Sequence, residues 1–249
     1  MTLAKDISAW IKNYVAENNR ESLVVGISGG IDSSVVSILC AMTELPVYAL
    51  TMPIRQIDSQ NDLSLKHGEW LVSRFKNVSH CIIPLDSVYN SFQDSVGSPF
   101  DNELAFANTK SRLRMVTLHQ ISGSKKGIVV GTGNKVEDFG VGFYTKYGDG
   151  GVDISPIADL FKSEVYGLAK ELDVMQEIID APPTDGLWED GRTDQDQLGG
   201  LTYDQMERAM DLDQKGAIAV GDDNTLLENY RNIRKQNLHK MEPIPVYRK

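Results

Sequence analysis

The residues best suited to chemistry form one short segment, Ser28 to Ser34, with the sequence SGGIDSS. Apolar runs on either side predict a strand, a glycine turn and the start of a helix. Backbone N–H groups at a helix N-terminus bind anions, and Gly29 and Gly30 let an anion approach closely. Asp32 would repel phosphate unless a divalent cation lay between them. The segment therefore predicts a pyrophosphate-binding loop that works with Mg²⁺, and it lacks the lysine of the G-x-x-x-x-G-K-[ST] loop.

The same residues also fit a second pattern. Gly26 to Gly30 matches G-x-S-x-G, the nucleophile turn of α/β-hydrolases, and a triad could use Ser28, Asp153 and His239. Only one strand is predicted before Ser28, so no upstream loop could supply the second oxyanion donor. The hydrolase pattern also does not require Asp32, which favours the phosphate-binding interpretation.

Two further glycine-containing segments follow in the chain. In GTGNKVED, Thr132 could donate a hydroxyl to a nucleotide and Glu137 could be a second metal-directed carboxylate, although acids also occur at ordinary helix starts. In YTKYGDGGVDISP, Lys146 could hold an anionic group and Asp153 could accept a hydrogen bond, although GDGG could be a simple turn. Lys162 follows this segment. It could be an ordinary surface charge, or it could supply the cation that the SGGIDSS loop lacks.

Basic residues also occupy the segment NTKSRLRM, from Asn108 to Met115. Lys110, Arg112 and Arg114 share a predicted helix with apolar residues that could face a core. By spacing alone, a solvated basic face is favoured over a binding site. The histidines at 67, 80 and 119 are isolated, and we predict structural roles for them.

The elements that would position these residues alternate between strand and helix. The predicted strands are Ser22–Ile27, Val47–Met52, Val78–Ile83 and Gly127–Gly131. The predicted helices include an amphipathic opening helix, Asp32–Met42, Ser59–Phe75, Asp101–Ser122, Lys162–Leu172, a helix after Thr202 that ends at Leu212, and Thr225–Gln236. This alternation predicts an α/β fold with a parallel sheet covered by helices on both faces. Such sheets bind ligands at the carboxyl ends of their strands, so the turns after the first and fourth strands should face one crevice. The glycine-rich stretch from Thr132 to Asp153 is long for a connection and predicts a functional loop.

Length and composition narrow the class of protein. The 249 residues suit one α/β domain, which we assign to residues 1–249, and the net charge of −10 argues against a broad nucleic-acid surface. Cys40 and Cys81 lie far apart in apolar runs, as buried free thiols of a reducing cytosol would. The N-terminus does not read as a signal peptide, and no apolar run approaches a membrane helix. We therefore expect a cytoplasmic protein without membrane or nucleic-acid partners.

Taken together, the chain resembles the ammonia-dependent NAD synthetases, members of the ATP pyrophosphatase (PP-loop) group. The segments that carry the resemblance occur in the family's order and at about its spacing along nearly the whole chain. They are GISGGIDSS, NTKSRLRM, VVGTGNKVED, FYTKYGDGGVDISP, APPTDGLW and NLHK. The first marks only the broad group, whereas KYGDGGVD with the P-T and H-K segments is more specific.

The resemblance implies a role for each matching residue. The ATP-binding residues would be Gly26, Ile27, Ser28, Gly29, Gly30, Ile31, Asp32, Ser33, Thr132, Lys162 and Thr184. Asp32 and Glu137 would bind Mg²⁺, and Asp32 and Lys162 would serve catalysis. The deamido-NAD-binding residues would be Arg112, Lys146, Asp153, His239 and Lys240, the last two closing from the tail. The family fold is a Rossmann-like, adenine nucleotide alpha hydrolase-like parallel sheet, usually in a homodimer with deamido-NAD at the interface.

The implied reaction is ATP-dependent amidation of deamido-NAD with ammonia to give NAD, through an adenylated carboxylate, with release of AMP and pyrophosphate. No glutaminase domain is expected before the loop, so free ammonia would be the nitrogen donor. Three departures from the family pattern are visible: Ser111 where alanine is usual, one extra residue between Glu137 and Lys146, and glutamines within Gly191–Gly200. The alternatives are another ATP pyrophosphatase, such as a tRNA-thiolating or GMP-forming enzyme, and a non-catalytic nucleotide-binding module.

Overall fold

The computed structural model describes residues 2–55, 58–184, 186–188, 190, 193–216 and 221–249, without the side chains of 58–61. Asp185 of the segment APPTDGLW, and Gly191 and Arg192 of the glutamine-containing segment, lie outside the described residues. Within these ranges, none of the helices combines the length and the apolar character needed to cross a bilayer.

A parallel sheet forms the centre of the fold, with strand order β3-β2-β1-β4. The strands are β1 (Ser22–Gly26), β2 (Val47–Thr51), β3 (Val78–Ile82) and β4 (Gly127–Val130). Each predicted strand is confirmed to within one residue at its C-terminal end. The sheet order reverses between β1 and β4, whose register pairs Val25 with Val130. Their carboxyl ends therefore open one crevice at the switch point of the sheet.

Helices cover both faces of this sheet. They are α1 (Leu3–Glu17), α2 (Ile31–Ala41), α3 (Asp58–Arg74), α4 (Asp86–Val96), α5 (Glu103–Ser124), α6 (Lys162–Glu171), α7 (Gln176–Ile179), α8 (Asp194–Gln197), α9 (Tyr203–Gln214) and α10 (Asp222–Met241). A short 3₁₀ helix spans Ser98–Phe100. The predicted helices are confirmed, but α4, α7 and α8 were not predicted from the sequence, and α10 is longer at both ends than the predicted Thr225–Gln236.

Alternate residues of each strand enter opposite cores, as the two-residue period of a strand requires. Leu23 and Val25 of β1 pack with α1, α2 and α6 in one cluster. Val24, between them, packs in a second cluster against Met115 and Leu118 of α5. This arrangement explains why β1 and β4 are nearly continuous apolar runs: both faces of these two strands are buried.

A third cluster lies beyond the sheet and supports the segment after β4. The chain there forms a π-helix, Lys135–Val141, where the sequence predicted a long loop. Its Val136 and Val141 are fully buried against residues of α9 and α10, including Met206 and Tyr230. The expectation of a loop was therefore wrong for these residues, because burial against two distant helices stabilises a helical turn that local glycines disfavour.

Candidate active site

A cavity of about 570 Å³ opens at the carboxyl ends of β1 and β4. All eight residues from Gly26 to Ser33 line it, which confirms that the predicted turn faces the crevice. On the other side it is lined by Thr132 and Glu137 from the turn after β4, by Lys162 at the start of α6, and by Thr184. The structure therefore brings all the predicted ATP-binding residues into one cavity.

The turn after β1 is shaped for close approach of an anion. Gly29 has φ +86°, which favours glycine, and α2 begins after Gly30 without a capping side chain. The first backbone N–H groups of α2 are therefore available to a ligand in the cavity. The Ser33 hydroxyl, which donates to the Gly30 carbonyl at 3.0 Å, accepts a bond from the Ser28 N–H at 3.2 Å. These local bonds hold the turn in a compact arc around its own helix N-terminus.

Lys162 lies between two carboxylates at the centre of the cavity wall. Its Nζ contacts Asp32 Oδ2 at 2.6 Å and Glu137 Oε1 at 2.8 Å. The lysine side chain is only 3% exposed, and the two carboxylate side chains are 17% and 14% exposed. A buried charge of this kind is retained only when it is paired, so the surface interpretation of Lys162 is excluded.

Residues that the sequence analysis missed hold this group in place. Asn134 donates to Asp32 Oδ1 at 3.2 Å, while its Oδ1 accepts bonds from the N–H groups of Val136 and Glu137. The Tyr203 hydroxyl lies 2.7 Å from Glu137 Oε1. Asn134 could have been found as a helix N-cap residue before KVED, but nothing local in the sequence connects Tyr203 with Glu137.

Burial and charge shift the pKa values of the three ionisable groups. Burial favours neutral Lys162, but the Asp32 and Glu137 carboxylates outweigh it and raise the lysine pKa. Burial also opposes ionised Glu137, but Lys162 outweighs it and lowers the Glu137 pKa. For Asp32, burial prevails over Lys162 and raises the pKa. A cationic Lys162 and an ionised Glu137 at neutral pH follow from these directions.

Two more carboxylates line the same cavity, Asp138 and Asp149. Burial, followed by the charges of Asp149 and Glu137, raises the Asp138 pKa well above its usual value. Asp149 Oδ1 accepts a bond from Ser111 Oγ at 2.7 Å, and its own N–H donates back to that hydroxyl at 2.9 Å. Ser111, the departure from the family pattern, thus ties the GDGG turn to α5.

The predicted deamido-NAD residues form a second group beside this cavity. Arg112 Nε donates to the Lys146 carbonyl at 3.2 Å, and Lys146 Nζ donates to the His239 carbonyl at 3.1 Å. Lys240 Nζ donates to the Tyr144 carbonyl at 2.8 Å. Four of the five residues are therefore linked through α10 and the segment around Lys146. A shallow hollow next to them is lined by Met115, Val116, His119, Gln120, Tyr147 and Gly151.

Asp153 does not join either group. Its Oδ2 accepts a bond from the Val129 N–H of β4 at 2.7 Å, and the residue is absent from the lining of both hollows. The hydrolase triad also does not form in the described residues: Ser28 Oγ bonds to Ser33 and Gly30, and His239 Nδ1 to the Gln236 carbonyl. Each member of that candidate triad is thus held by another group.

The donor set fits a hard divalent cation shared with a ligand. Asp32 and Glu137 both reach one atom, Lys162 Nζ, so a single cation could contact both carboxylates. Among the described residues no cluster of three or more His, Cys, Asp or Glu side chains could enclose a metal. Mg²⁺ is commonly held by one or two carboxylates together with phosphate oxygens and water, which matches this pair.

A parallel α/β sheet, a phosphate loop at its switch point and a buried lysine between two acids define a nucleotide-binding enzyme. The comparisons with known proteins give the family. The profile of the NAD synthase family matches residues 3–244. The NH(3)-dependent NAD(+) synthetase of Archaeoglobus fulgidus is 34% identical over 246 residues, which cover 97% of this chain and 94% of that protein. The chain belongs to the NAD synthase family.

Solved structures agree with this assignment. The NMN synthetase from Francisella tularensis superposes with a TM-score of 0.86 at 31% identity, covering 98% of this chain and 97% of that one. The NH3-dependent NAD synthetase from Campylobacter jejuni gives a TM-score of 0.80 at 25% identity, covering 99% and 98%. The Rossmann-like fold predicted from the sequence is therefore confirmed over almost the whole chain.

Proposed function

We propose that this enzyme amidates the nicotinate carboxylate of deamido-NAD with ammonia, at the expense of ATP. The observation that carries the proposal is the cavity in which the phosphate loop faces Lys162, Asp32 and Glu137. Membership of the NAD synthase family, and relatives of matching length that are NH(3)-dependent NAD(+) synthetases, support the substrates and the nitrogen donor.

The chemistry proceeds in two balanced steps. A nicotinate carboxylate oxygen attacks the α-phosphorus of ATP, the bond to the bridging oxygen breaks, and pyrophosphate leaves. Ammonia then attacks the carbonyl carbon of the acyl adenylate, loses a proton, and displaces AMP. No protein nucleophile is needed. The protein lowers the barrier by holding two anionic reactants together and by stabilising charge at the phosphates.

The residues of the cavity divide this work. The N–H groups of the turn from Gly26 to Ser33 bind the phosphates, and Lys162 supplies a fixed positive charge beside them. Asp32 and Glu137 would hold Mg²⁺, which would supply positive charge to offset that of the phosphates. Thr132 and Thr184 line the same cavity and carry hydroxyl groups that suit a nucleotide. Lys162 is already cationic and buried before the substrates bind, so its positive charge does not have to be created for the reaction.

The pyridine nucleotide occupies the second group. Arg112, Lys146 and Lys240 form a local basic surface on a chain whose net charge is −10, which suits the phosphates of deamido-NAD. Met115 lines both this hollow and the ATP cavity, so a ligand here can direct its carboxylate toward the α-phosphate. Asp153 acts indirectly, by anchoring the end of the GDGG segment to β4.

A second copy of the chain completes the molecule. Large apolar side chains stand exposed along α4, α5 and the turn between them: Val88, Phe92, Phe100, Leu104 and Val116 are 42–71% exposed. Several large apolar side chains exposed on neighbouring elements are typical of an interface. This group of side chains adjoins Arg112, which supports a homodimer whose interface lies beside the pyridine nucleotide site.

Buried Cys40 and the free thiol of Cys81 suit a reducing cytoplasm.

A second candidate substrate follows from the structural comparison. The Francisella tularensis protein that superposes at a TM-score of 0.86 is an NMN synthetase, whose product is a mononucleotide. The same cavity and the same two steps would serve nicotinate mononucleotide, because the reacting carboxylate is identical. The two candidates differ only in whether the adenylate half of the pyridine substrate is bound.

One assay tests these candidates together. Purified enzyme with ATP, Mg²⁺ and ammonium is given deamido-NAD or nicotinate mononucleotide, and AMP is measured with each. A higher kcat/KM for deamido-NAD supports the first proposal, and a higher value for the mononucleotide supports the second. No AMP with either substrate would leave a nucleotide-binding module or another ATP pyrophosphatase, and would contradict both.

A further inference from the structure

A chain of hydrogen bonds runs from His80 on β3 through Thr51 and Ser64 to the backbone of the phosphate loop. We propose that Ser64 is a positioning residue for this loop, and that Thr51 and His80 hold its hydroxyl in the required orientation. The inference rests on the proposed use of the turn from Gly26 to Ser33 to bind ATP phosphates. None of the three side chains lines the cavity, so they act through the backbone of the loop.

The contact with the loop is a single hydrogen bond to its backbone. Ser64 Oγ donates to the Ile27 carbonyl at 2.7 Å, and the Ile27 N–H donates to the Leu50 carbonyl at 2.9 Å. Because the peptide bond after Ile27 is trans, the Ser28 N–H points away from Ser64, into the turn, where it meets Ser33 Oγ. The Ser64 bond therefore sets the plane of the first peptide of the phosphate loop.

Only one arrangement of protons satisfies the rest of the chain. Ser64 has one hydroxyl proton, which is used on Ile27, so Thr51 must donate to Ser64 Oγ across the 2.8 Å between them. Thr51 then has no proton left for His80 Nε2, which lies 2.8 Å from its hydroxyl, so that nitrogen must be the donor. The hydrogen bonds therefore run in one direction: His80 donates to Thr51, Thr51 donates to Ser64, and Ser64 donates to the Ile27 carbonyl.

A second branch from α3 holds the other end of the turn. Ser37 Oγ donates to the Ser34 carbonyl at 2.9 Å and accepts from His67 Nε2 at 2.8 Å. His67 lies one helical turn from Ser64, so both side chains leave the same face of α3. This helix therefore supports the backbone just before the loop and the first turn of α2 just after it.

A glycine on α3 gives the histidine room to take part. A Cβ atom at Gly68 would lie 2.3 Å from the His80 ring, closer than any real contact. An alanine there would push the ring away from Thr51 without altering any residue of the hydroxyl chain. Gly68→Ala is therefore an independent way to break the hydrogen bond between His80 and Thr51.

The first test removes hydroxyl groups. We expect Ser64→Ala and Thr51→Val each to raise the KM for ATP about tenfold, the value of one lost hydrogen bond, with the KM for the pyridine substrate within about twofold. Thr51→Ser, which keeps the hydroxyl, should restore the KM for ATP to near the wild-type value. Ser73→Ala is the matched control, because Ser73 lies on α3 but its exposed hydroxyl donates only to the Trp70 carbonyl.

The second test uses the glycine. Gly68→Ala should raise the KM for ATP, whereas Gly123→Ala should not, because a Cβ there meets nothing within 4 Å. A folded Thr51→Val or Gly68→Ala enzyme with the wild-type KM for ATP would overturn the inference, as would equal loss for both substrates. If the wild-type enzyme itself releases no AMP, the proposed function fails instead, so the two failures are distinguishable.

Discussion

Asp32 is buried at a cost to folding, and we propose a functional role for the same carboxylate. Its carboxylate is buried beside Glu137, and burial raises its pKa, yet Lys162 and Asn134 both donate to it. A buried carboxylate in this position needs a cation beside it to offset its charge. The sequence predicted a divalent cation at this carboxylate, which stays a prediction, and it left Lys162 either as a surface charge or as the cation that the loop lacks; the structure places Lys162 Nζ 2.6 Å from Asp32 Oδ2.

The first prediction concerns this carboxylate. Asp32→Asn keeps the size of the side chain but removes the charge that would hold Mg²⁺, and we expect AMP release to fall roughly 10²–10³-fold, about 3–4 kcal/mol. The Kd for the pyridine substrate should change little, because that ligand contacts other residues. Calorimetric titration beside the rate assay checks this. The control is Asp211→Asn, an exposed acid on α9. Equal loss of rate and of pyridine binding would count against a metal role.

The second prediction concerns Ser111, where the family usually has alanine. Its hydroxyl exchanges two hydrogen bonds with Asp149. Ser111→Ala should lower the free energy of unfolding by about 1 kcal/mol and raise the KM for the pyridine substrate, because the GDGG turn loses its tie to α5. Urea denaturation and initial rates measure the two effects. Ser124→Ala, an exposed serine on the same helix, should change neither.

The third prediction concerns pH. Burial, and then His80, lower the His67 pKa from 6.5 to about 4. Between these values the unfolded chain binds a proton that the folded chain does not, so the free energy of unfolding falls as the pH falls. The loss from this group between pH 7.5 and 4.5 is about 2–3 kcal/mol.

The variant His67→Gln isolates that contribution. Glutamine retains a donor for Ser37 and cannot titrate in this range. Urea denaturation at both pH values should show a smaller pH-dependent loss for the variant than for the wild type. Identical losses would mean that the His67 pKa is the same in the folded and the unfolded chain.

At the scale of elements, strands were the most predictable part of this fold. The strands β1, β2 and β4 are short apolar runs that are mostly buried, whereas the edge strand β3 is partly exposed. The helix α4 was missed although its sequence carries a helical signal: Val88, Tyr89, Phe92 and Val96 recur at helical spacing. Only Tyr89 of these residues is buried, so most of that stripe faces away from the core.

The π-helix at Lys135–Val141 could not be predicted in the same way. The sequence analysis noted one extra residue between Glu137 and Lys146, and a π-helix accommodates one extra residue in a helical turn. What stabilises it lies far away in the chain. Arg234 donates to the Phe139 carbonyl at 2.7 Å and also bonds the Gly140 carbonyl, and Asn237 donates to the Val141 carbonyl at 2.9 Å.

The fourth prediction follows from this support. Arg234→Ala removes the donor from two carbonyls at the end of the π-helix, and we expect it to lower the free energy of unfolding by about 1–3 kcal/mol. It should also reduce kcat, because Glu137 lies in the same element. Arg231→Ala is the control: its exposed bond to Asp213 should contribute less than about 1 kcal/mol. Equal effects of both variants on stability and kcat would show that α10 does not position Glu137.

At the scale of the whole molecule, the site is assembled by the order of the sheet. Motif positions predicted the loop, Thr132, Glu137 and Lys162 because each follows or begins a recognisable element. Asn134 carries a local capping signal that the analysis overlooked. Tyr203 contacts Glu137, and Asp149 lines the cavity, through packing between segments far apart in the chain, so only the folded chain reveals these contacts. Asp153 shows the converse: a motif residue whose carboxylate anchors β4 instead of entering a cavity.

The fifth prediction concerns the proposed dimer. Val116 on α5 is 66% exposed within the apolar surface formed by α4 and α5. Val116→Asp should place a charge in the interface and shift the protein toward monomers, with a rise in the KM for the pyridine substrate. Light scattering coupled to size-exclusion chromatography measures the mass. Val72→Asp is the matched control, because Val72 is 46% exposed on α3, away from that surface. A Val116→Asp protein with unchanged mass would place the interface elsewhere.

The wide separation in sequence of the groups that meet at Lys162 has a consequence for folding kinetics. Asn134 and Asp32 are 102 residues apart, and Lys162 and Asp32 are 130 apart. Contacts closed over such long stretches of chain form slowly, because their loop entropy must be lost first. During refolding, the circular dichroism signal of helices should therefore return before the affinity for nucleotide does. The reason is that α2 can form from local contacts before β4 pairs with β1.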